Sequence, residues 1–238
     1  MWPFDRKKTI GKERLLAGGT DHHSHILPGV DDGVKNTEEA LRILQHYATT
    51  GIKELWLTPH TMEDYPNTAA KLKEQFATFC EAYKGPITLH LATEYMLDNN
   101  FDHILKNEEL LPIGKHGNHL LVETSYYTPP MRLHDTLQQI KSRGYFPLLA
   151  HAERYLYMEK KQYEELAEMG VKFQLNLPSL AGVYGPGVEK KALWLLNNGM
   201  YSVAGSDTHC SRAVEAIEGV ALKTSLIEKL KRVIDTTL

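Results

Sequence analysis

Several features of other protein classes are missing from this sequence of 238 residues. It has only two cysteines, Cys80 and Cys210, which stand far apart and form no disulfide framework. It contains no run of about 18 apolar residues, which a membrane-spanning helix requires, and no signal-peptide pattern. Its formal net charge of -3 lacks the basic excess that nucleic-acid binding favours. We therefore expect a globular cytoplasmic protein that has no membrane span and does not bind nucleic acid.

The first 19 residues differ from the rest in composition. Such a segment could rest on an anionic membrane surface or a partner, but we interpret it as a solvated or loosely packed basic lead-in. Residues 20–238 then form a single domain, within the size range of one α/β barrel. The segment combines five basic residues with two aromatic ones: Arg6, Lys7, Lys8, Lys12, Arg14, Trp2 and Phe4.

From residue 20 onward, short β-branched or leucine-rich segments alternate with longer segments of helical apolar spacing. Glycines at the expected helix C-caps precede several of the strands, as at Gly51 and Gly144. Repeated βα units favour a parallel sheet, either closed into a barrel or open and doubly wound. The predicted strands are 20–25, 52–58, 87–93, 120–124, 146–150, 171–176 and 201–205; the predicted helices are 37–50, 68–83, 98–106, 132–143, 160–169 and 187–198, with one or two more after 211.

A histidine-rich motif, Asp21-His22-His23-Ser24-His25, forms the first predicted strand. Alternate residues of a strand point to the same side, so His23 and His25 can bind one metal ion while His22 faces the other way. A polar turn with surface histidines is the alternative interpretation of this motif alone.

Residues of the types that commonly bind metal ions stand at the C-terminal ends of six of the seven predicted strands. Taken singly, His151 could be a hydrogen-bonded core histidine, and Glu123 could pair with Arg143. Such explanations are much less expected to hold independently at the ends of six strands. The carboxyl ends of parallel strands also meet at one edge of the sheet. We therefore expect these residues to converge: His23 and His25, then His60, Glu94, Glu123 and His151, and finally Asp207 and His209.

Taken together, the motifs resemble the polymerase and histidinol phosphatase (PHP) superfamily. Within it, the chain is similar to the bacterial manganese-dependent protein-tyrosine phosphatases of capsule and exopolysaccharide operons. The resemblance implies an α/β fold, a distorted seven-stranded (β/α) barrel of the TIM-like type. It rests on Asp21-x-His23-x-His25 with Pro28-Gly29-x-Asp31-Asp32-Gly33, Thr58-Pro59-His60, the strand-end Glu94 and Glu123, Ala150-His151-Ala152-Glu153-Arg154, and Ser206-Asp207-x-His209.

The resemblance further implies three divalent metal ions, Mn²⁺ above all, with iron or zinc also compatible with mixed nitrogen and oxygen ligands. Arg154 and Arg212 match the phosphate-binding arginines, although Cys210 departs from the asparagine usual there. From the residues alone, either Asp31 or Asp32 could be a ligand; the resemblance favours Asp32. The implied sets are His23, His25, Glu94 and Asp207 for the first ion, Glu94, Glu123 and His151 for the second, and Asp32, His60 and His209 for the third.

The implied activity is hydrolysis of phosphotyrosine by a metal-activated hydroxide. The implied substrate is the phosphotyrosine tail of a bacterial tyrosine autokinase that regulates the synthesis of capsule or exopolysaccharide. The alternatives are a small-molecule phosphoesterase such as histidinol phosphatase, and a metal-binding scaffold with a regulatory role. A cysteine phosphatase is excluded, because neither cysteine is followed at the sixth position by arginine. Tyr126, Tyr127, Pro129 and Pro130 form either an aromatic rim for a peptide or a rigid loop packed on the barrel.

Overall fold

The computed structural model describes residues 7–238 and has the predicted alternation of strands and helices. The strands are β1 (Lys7–Thr9), β2 (Thr20–Asp21), β3 (Glu54–Leu57), β4 (His60–Thr61), β5 (Thr88–Leu91), β6 (Glu94–Met96), β7 (His119–Glu123), β8 (Phe146–Leu149), β9 (Lys172–Asn176), β10 (Tyr201–Gly205) and β11 (Ala221–Lys223). The helices are α1 (Thr37–Thr50), α2 (Ala69–Ala82), α3 (Phe101–Asn107), α4 (Leu133–Ser142), α5 (Lys160–Glu168), α6 (Pro186–Asn197), α7 (Arg212–Gly219) and α8 (Thr224–Asp235).

The parallel strands form a distorted ring. One sheet has the order β10-β9-β8-β7-β6-β4 and the other the order β2-β3-β5. The two sheets are joined by the chain itself, because β3 runs on into β4 and β5 into β6, where Glu94 N donates to Pro59 O at 3.1 Å. At the opposite edge, His22 N donates to Ala204 O at 3.1 Å, which brings the chain after β2 beside β10. The fold is therefore the predicted α/β barrel rather than an open doubly wound sheet.

Three predicted strands are shorter or more broken than expected. The strand predicted over 20–25 ends at Asp21, because the N–H of His23 donates to the Asp21 side chain instead of a neighbouring strand, and Ser24 forms only an isolated bridge with Thr208. The strands predicted over 52–58 and 87–93 each continue as a second short segment, β4 and β6. Between β3 and β4 stands Pro59, which has no N–H to donate to a ladder.

The helix ends agree with the glycine pattern. Gly51 caps α1 at a φ of 84°, a left-handed conformation that glycine adopts without steric cost. Its N–H donates to Ala48 O. At the other end of α1, Asn36 accepts a hydrogen bond from Glu39 N and so satisfies one of the free N–H groups of the first turn.

Apolar side chains fill the barrel beneath the strand ends. Leu121 of β7, Leu148 of β8 and Val203 of β10 are fully buried in one cluster inside the ring. Because side chains alternate along a strand, Glu123 points to the same side as Leu121, two positions further on. The barrel interior thus changes from hydrocarbon to polar ligands at the C-terminal ends of the strands.

Residues 7–19 are packed, not loosely attached as we expected. β1 pairs antiparallel with β11, and Ile10, Leu15 and Leu16 are buried in the cluster that surrounds α8. Their apolar side chains outweigh the basic residues between them, which lie on the exposed side. The boundary of the lead-in at residue 19 stays a prediction. Trp2, Phe4 and Arg6 lie outside the described residues.

Candidate metal centre

The structure brings all nine predicted metal ligands to the C-terminal edge of the barrel. Most are fully buried, whereas Asp32 and His209 reach toward solvent, with side chains 51% and 32% exposed. Three groups of donor atoms can be distinguished, each close enough to hold an ion: His23, His25 and Asp207; His60, Glu94 and Glu123; and His25, Asp32, His60 and His209.

The first group contains three of the four residues that the sequence analysis expected, and the fourth, Glu94, lies beside it. His23 Nε2 and His25 Nε2 lie 3.0 Å apart. Asp207 Oδ1 lies 3.4 Å from His25 Nε2, and Glu94 Oε2 lies 3.1 Å from His23 Nε2. His23 and His25 lie beyond the end of β2 at Asp21, but their side chains still point into the same site. His22 turns away, with its Nδ1 3.2 Å from Ala204 O.

The second group is built around Glu94, which lies between neighbours from several strands. Glu94 Oε1 is 2.9 Å from His151 Nε2, and Glu123 Oε2 is 3.7 Å from the same nitrogen. His60 belongs to this group, with its Nδ1 3.0 Å from Glu123 Oε1 and 3.2 Å from Glu94 Oε2, whereas His151 lies beside the group. Sequence reasoning assigned His60 to the third ion alone, since spacing does not reveal which ring nitrogen faces which carboxylate.

The third group contains Asp32 and not Asp31. Asp32 Oδ1 lies 3.5 Å from His60 Nε2 and 3.4 Å from His209 Nε2. Asp31 instead accepts a hydrogen bond from His25 Nδ1 at 2.7 Å and further bonds from the N–H groups of His60 and Gly33. Asp31 therefore orients a candidate ligand from behind, as carboxylates commonly do at metal sites, and Asp32 faces the site.

Gln174 of β9 is a site residue that the sequence analysis missed. Its Oε1 accepts from His23 Nδ1 at 3.0 Å and from His151 N at 2.8 Å. It is fully buried, and one side-chain oxygen thus fixes residues from two separate loops. The available signal was a glutamine in the apolar strand Phe173-Gln174-Leu175, on the one barrel strand that supplied no ligand.

Opposite charges compensate one another inside this centre. Burial disfavours the protonated form of His23, but the Glu94 and Asp207 carboxylates outweigh it and raise its pKa to about 9. Burial likewise disfavours the Asp207 carboxylate, yet His23, His151 and His25 lower its pKa to about 2. The carboxylates therefore stay ionised. Their negative charge must be balanced either by protonated histidines or by bound metal ions.

Unsatisfied atoms indicate that the donor set fits metal ions. His60 Nδ1 and Glu123 Oε1 are buried 3.0 Å apart, yet neither makes a hydrogen bond of acceptable geometry. Buried polar atoms normally have a partner, and a cation between these two would provide one. Imidazole nitrogens and carboxylate oxygens together suit Mn²⁺, Fe²⁺ or Zn²⁺.

The backbone is strained at two of these residues. His151 has a φ of 33° and Asp207 a φ of 52°, in the left-handed region that residues with a Cβ rarely occupy. Such conformations persist where the surroundings hold them, and they cluster at functional sites. Gly205 permits a further close approach, since a Cβ there would lie 2.4 Å from the Cβ of His23.

Both predicted phosphate-binding arginines line one cavity beside the centre, with a volume of about 460 Å³. Arg154 is held between the rings of Tyr126 and Tyr184, whose centroids lie 4.1 Å and 4.4 Å from its guanidinium carbon. Arg154 Nη1 also donates to Asp207 Oδ2 at 2.9 Å. Arg212 is exposed at the start of α7. The cavity thus presents two guanidinium groups next to the candidate metal ligands.

The segment after β7 divides into an inner and an outer part. Tyr126 is half-buried, and its hydroxyl donates to Glu123 Oε2 at 3.2 Å. Tyr127 and Met131 are exposed, at 89% and 104%. Tyr126 therefore belongs to the packed site, while Tyr127 is available as part of a rim.

A family model described as capsular polysaccharide synthesis, CpsB/CapC, matches residues 19–219. The tyrosine-protein phosphatase CpsB of Streptococcus pneumoniae is 28% identical over 201 residues, covering 79% of this chain and 82% of the relative. The tyrosine-protein phosphatase YwqE of Bacillus subtilis is 26% identical over 195 residues, covering 79% and 76%. A solved structure described as YwqE and CpsB, metal-dependent tyrosine phosphatases, superposes with a TM-score of 0.74 at 21% identity, over 92% of this chain and 97% of that one.

Proposed function

Because this chain belongs to the CpsB/CapC family of capsular polysaccharide synthesis, we propose that it is a metal-dependent protein-tyrosine phosphatase. The observation that carries the proposal is the convergence of nitrogen and oxygen donors from six barrel strands beside a cavity with two arginines. Phosphate-ester hydrolysis needs both features, since the phosphoryl group is anionic and must meet a nucleophile at neutral pH.

We assign the metal ligands as the nine predicted residues and favour three ions, with Mn²⁺ first and iron or zinc also compatible with the donors. When bound, such ions lower the pKa of coordinated water and neutralise phosphoryl charge. The ligands are His23, His25, Asp32, His60, Glu94, Glu123, His151, Asp207 and His209.

The arginines supply the remaining binding groups. The plane of the Arg154 guanidinium is fixed, because tyrosine rings cover both of its faces and Asp207 accepts a hydrogen bond from one of its N–H groups. Its remaining N–H groups are then available to a phosphoryl group in the paired geometry that guanidinium favours. Arg212 is exposed and closes on the same cavity from α7, so it can bind the substrate as it enters.

We propose as substrate the phosphotyrosine tail of a tyrosine autokinase that regulates capsule or exopolysaccharide synthesis. The names of the curated relatives support phosphotyrosine, and the description of the family supports the capsule. Within the described residues, no helix is both long and apolar enough to cross a bilayer. We place the activity in the cytoplasm, and the unpaired Cys80 and Cys210 are compatible with a reducing compartment.

A small-molecule phosphoesterase such as histidinol phosphatase remains the alternative activity. The relatives reported above carry tyrosine phosphatase names, which favour the peptide substrate. A scaffold without catalysis is less well supported, because eight of the proposed donors form the three groups, His151 contacts Glu94, and Arg154 lies beside them.

The test is hydrolysis of a phosphotyrosyl peptide by protein stripped of metal, before and after Mn²⁺ is restored. We expect activity to return on metal addition, and to be lower by about a hundredfold in His151→Ala, which removes a ligand. His103→Ala is the matched control, because His103 is exposed on α3.

Histidinol phosphate is assayed in parallel. Much faster turnover of this small substrate than of the peptide would overturn the assignment of substrate. A metal-loaded protein inactive on both would contradict the phosphatase itself.

A further inference from the structure

A second cavity lies on the same face of the barrel as the metal centre. It has a volume of about 300 Å³ and lies between α5 and the N-terminal half of α6. Both helices follow loops that leave the C-terminal ends of β8 and β9, so their first turns stand beside the active-site mouth. The cavity is lined by Leu156, Met158, Trp194 and three lysines, Lys160, Lys190 and Lys191.

The two cavities are lined by neighbouring residues of the same two loops. Leu156 lines the second cavity and lies two residues after Arg154, which lines the first. Likewise Gly187 lines the second cavity a few residues after Val183 and Tyr184, which line the first. Leu156 and Val183 are exposed apolar side chains, at 54% and 57%. A chain bound at Arg154 can therefore cross these two residues to reach the second cavity.

The positive charge of the second cavity is only partly compensated. In the described part of the chain, no carboxylate lies within salt-bridge distance, 4.0 Å, of Lys160, Lys190 or Lys191. Glu159, at the N-terminus of α5, is the one lining carboxylate. Three ammonium groups thus face one cavity with one acidic neighbour.

One of these charges is held rigidly in place. Lys191 Nζ donates to Tyr155 O at 2.8 Å and to Met158 O at 2.7 Å, and its side chain is half-buried. Burial lowers the pKa of Lys191, while Glu159 acts in the opposite direction. Lys160 Nζ lies 5.1 Å from the centroid of the Trp194 ring. Lys191 is therefore a fixed charge beside an aromatic wall, and Lys160 and Lys190 are exposed at the rim of the cavity.

We propose that this cavity binds an acidic side chain that flanks the phosphotyrosine in the peptide substrate. The proposal rests on the proposed function, because it takes the phosphotyrosine to sit beside Arg154. A carboxylate there would complement Lys160 and Lys190 and lie near the charge of Lys191. The cavity would then select among phosphotyrosyl peptides by the residues around the phosphorylated site.

The test uses phosphotyrosyl peptides that carry one glutamate at successive positions around the phosphotyrosine, each with a matched glutamine peptide. For the preferred glutamate peptide we expect Lys160→Gln combined with Lys190→Gln to raise KM about fivefold, as two exposed charge pairs would. The kcat should not change, nor should KM for the glutamine peptide or the turnover of p-nitrophenyl phosphate. Lys161→Gln is the control, because Lys161 is 84% exposed on the same helix and pairs with Glu165 outside the cavity.

Equal KM values for glutamate and glutamine peptides at every position, or an equal loss on both in the double variant, would overturn the proposal while leaving the phosphatase intact. If the wild-type protein hydrolyses no peptide, the proposed function fails separately. In that case, the affinities of fluorescently labelled glutamate and glutamine peptides test whether the cavity binds an acidic side chain. A preference for glutamate that the double variant loses supports the cavity, and no preference contradicts it.

Discussion

At the scale of single residues, two side chains hold the candidate ligands from behind. Asp31 accepts from the ring Nδ1 of His25, and Gln174 accepts from the ring Nδ1 of His23 and from the backbone N–H of His151. Both are buried. A hydrogen bond to one ring nitrogen of a histidine sets its tautomer and points the other nitrogen at the site. These residues therefore determine whether the donor atoms are ready for an ion.

We expect Gln174→Ala to weaken metal affinity by about 10- to 100-fold, because it removes the acceptor that His23 and His151 share. Titration of the stripped protein with Mn²⁺ against a competing chelator measures this. Gln138→Ala, at an exposed position of α4, should leave the affinity unchanged. An unaltered affinity in Gln174→Ala would mean that the histidines are oriented by the backbone alone.

At the scale of elements, the N-terminal segment is part of the barrel's outer layer. Ile10 N donates to Val220 O, and Lys231 Nζ of α8 donates to the carbonyl oxygens of Leu15 and Ala17. The segment thus links the strand pair β1–β11 to α8, while the side chains of its described basic residues are exposed.

Ile10→Ala should lower the free energy of unfolding by about 2–5 kcal/mol, since Ile10 is 1% exposed and the smaller side chain leaves a cavity. Urea denaturation measures the change. Lys12→Ala, at an exposed position two residues away, serves as the comparison and should have little effect. Equal stability of the two variants would show that this segment does not contribute to folding.

At the scale of the whole molecule, the barrel concentrates ionisable groups where its strands end. His23, Glu94 and His151 are buried together at the centre of this group. Ions that bind the folded chain and not the unfolded one shift the folding equilibrium by mass action. The metal centre should therefore stabilise the whole domain, not only its active-site loops.

We expect Mn²⁺ at one hundred times its Kd to stabilise the stripped protein by about 2.7 kcal/mol, seen as a higher Tm in calorimetry. A chelator should reverse the shift. Asp32→Asn, which alters a half-exposed ligand and leaves the core intact, should reduce it. A Tm that is independent of metal would contradict binding at these residues.

Much of this protein was predictable from local patterns. Period-two and helical spacing located the strands and helices, because each depends on neighbours along the chain. Parallel strands place their C-terminal ends together, so the gathering of His60, Glu94, Glu123 and His151 followed from sequence order alone. The family resemblance then added Asp32, Arg154 and Arg212, which periodicity does not distinguish from other polar residues.

Tertiary structure decided what depends on contacts between distant residues. Asp31 and Asp32 are chemically equivalent in sequence, and only the position of His25 relative to His60 turns one behind the site and the other into it. The packing of Tyr126 and Tyr184 on Arg154 likewise joins three separate loops. Local spacing specifies which way a side chain leaves its own strand, but its partners are determined when the ring of strands closes.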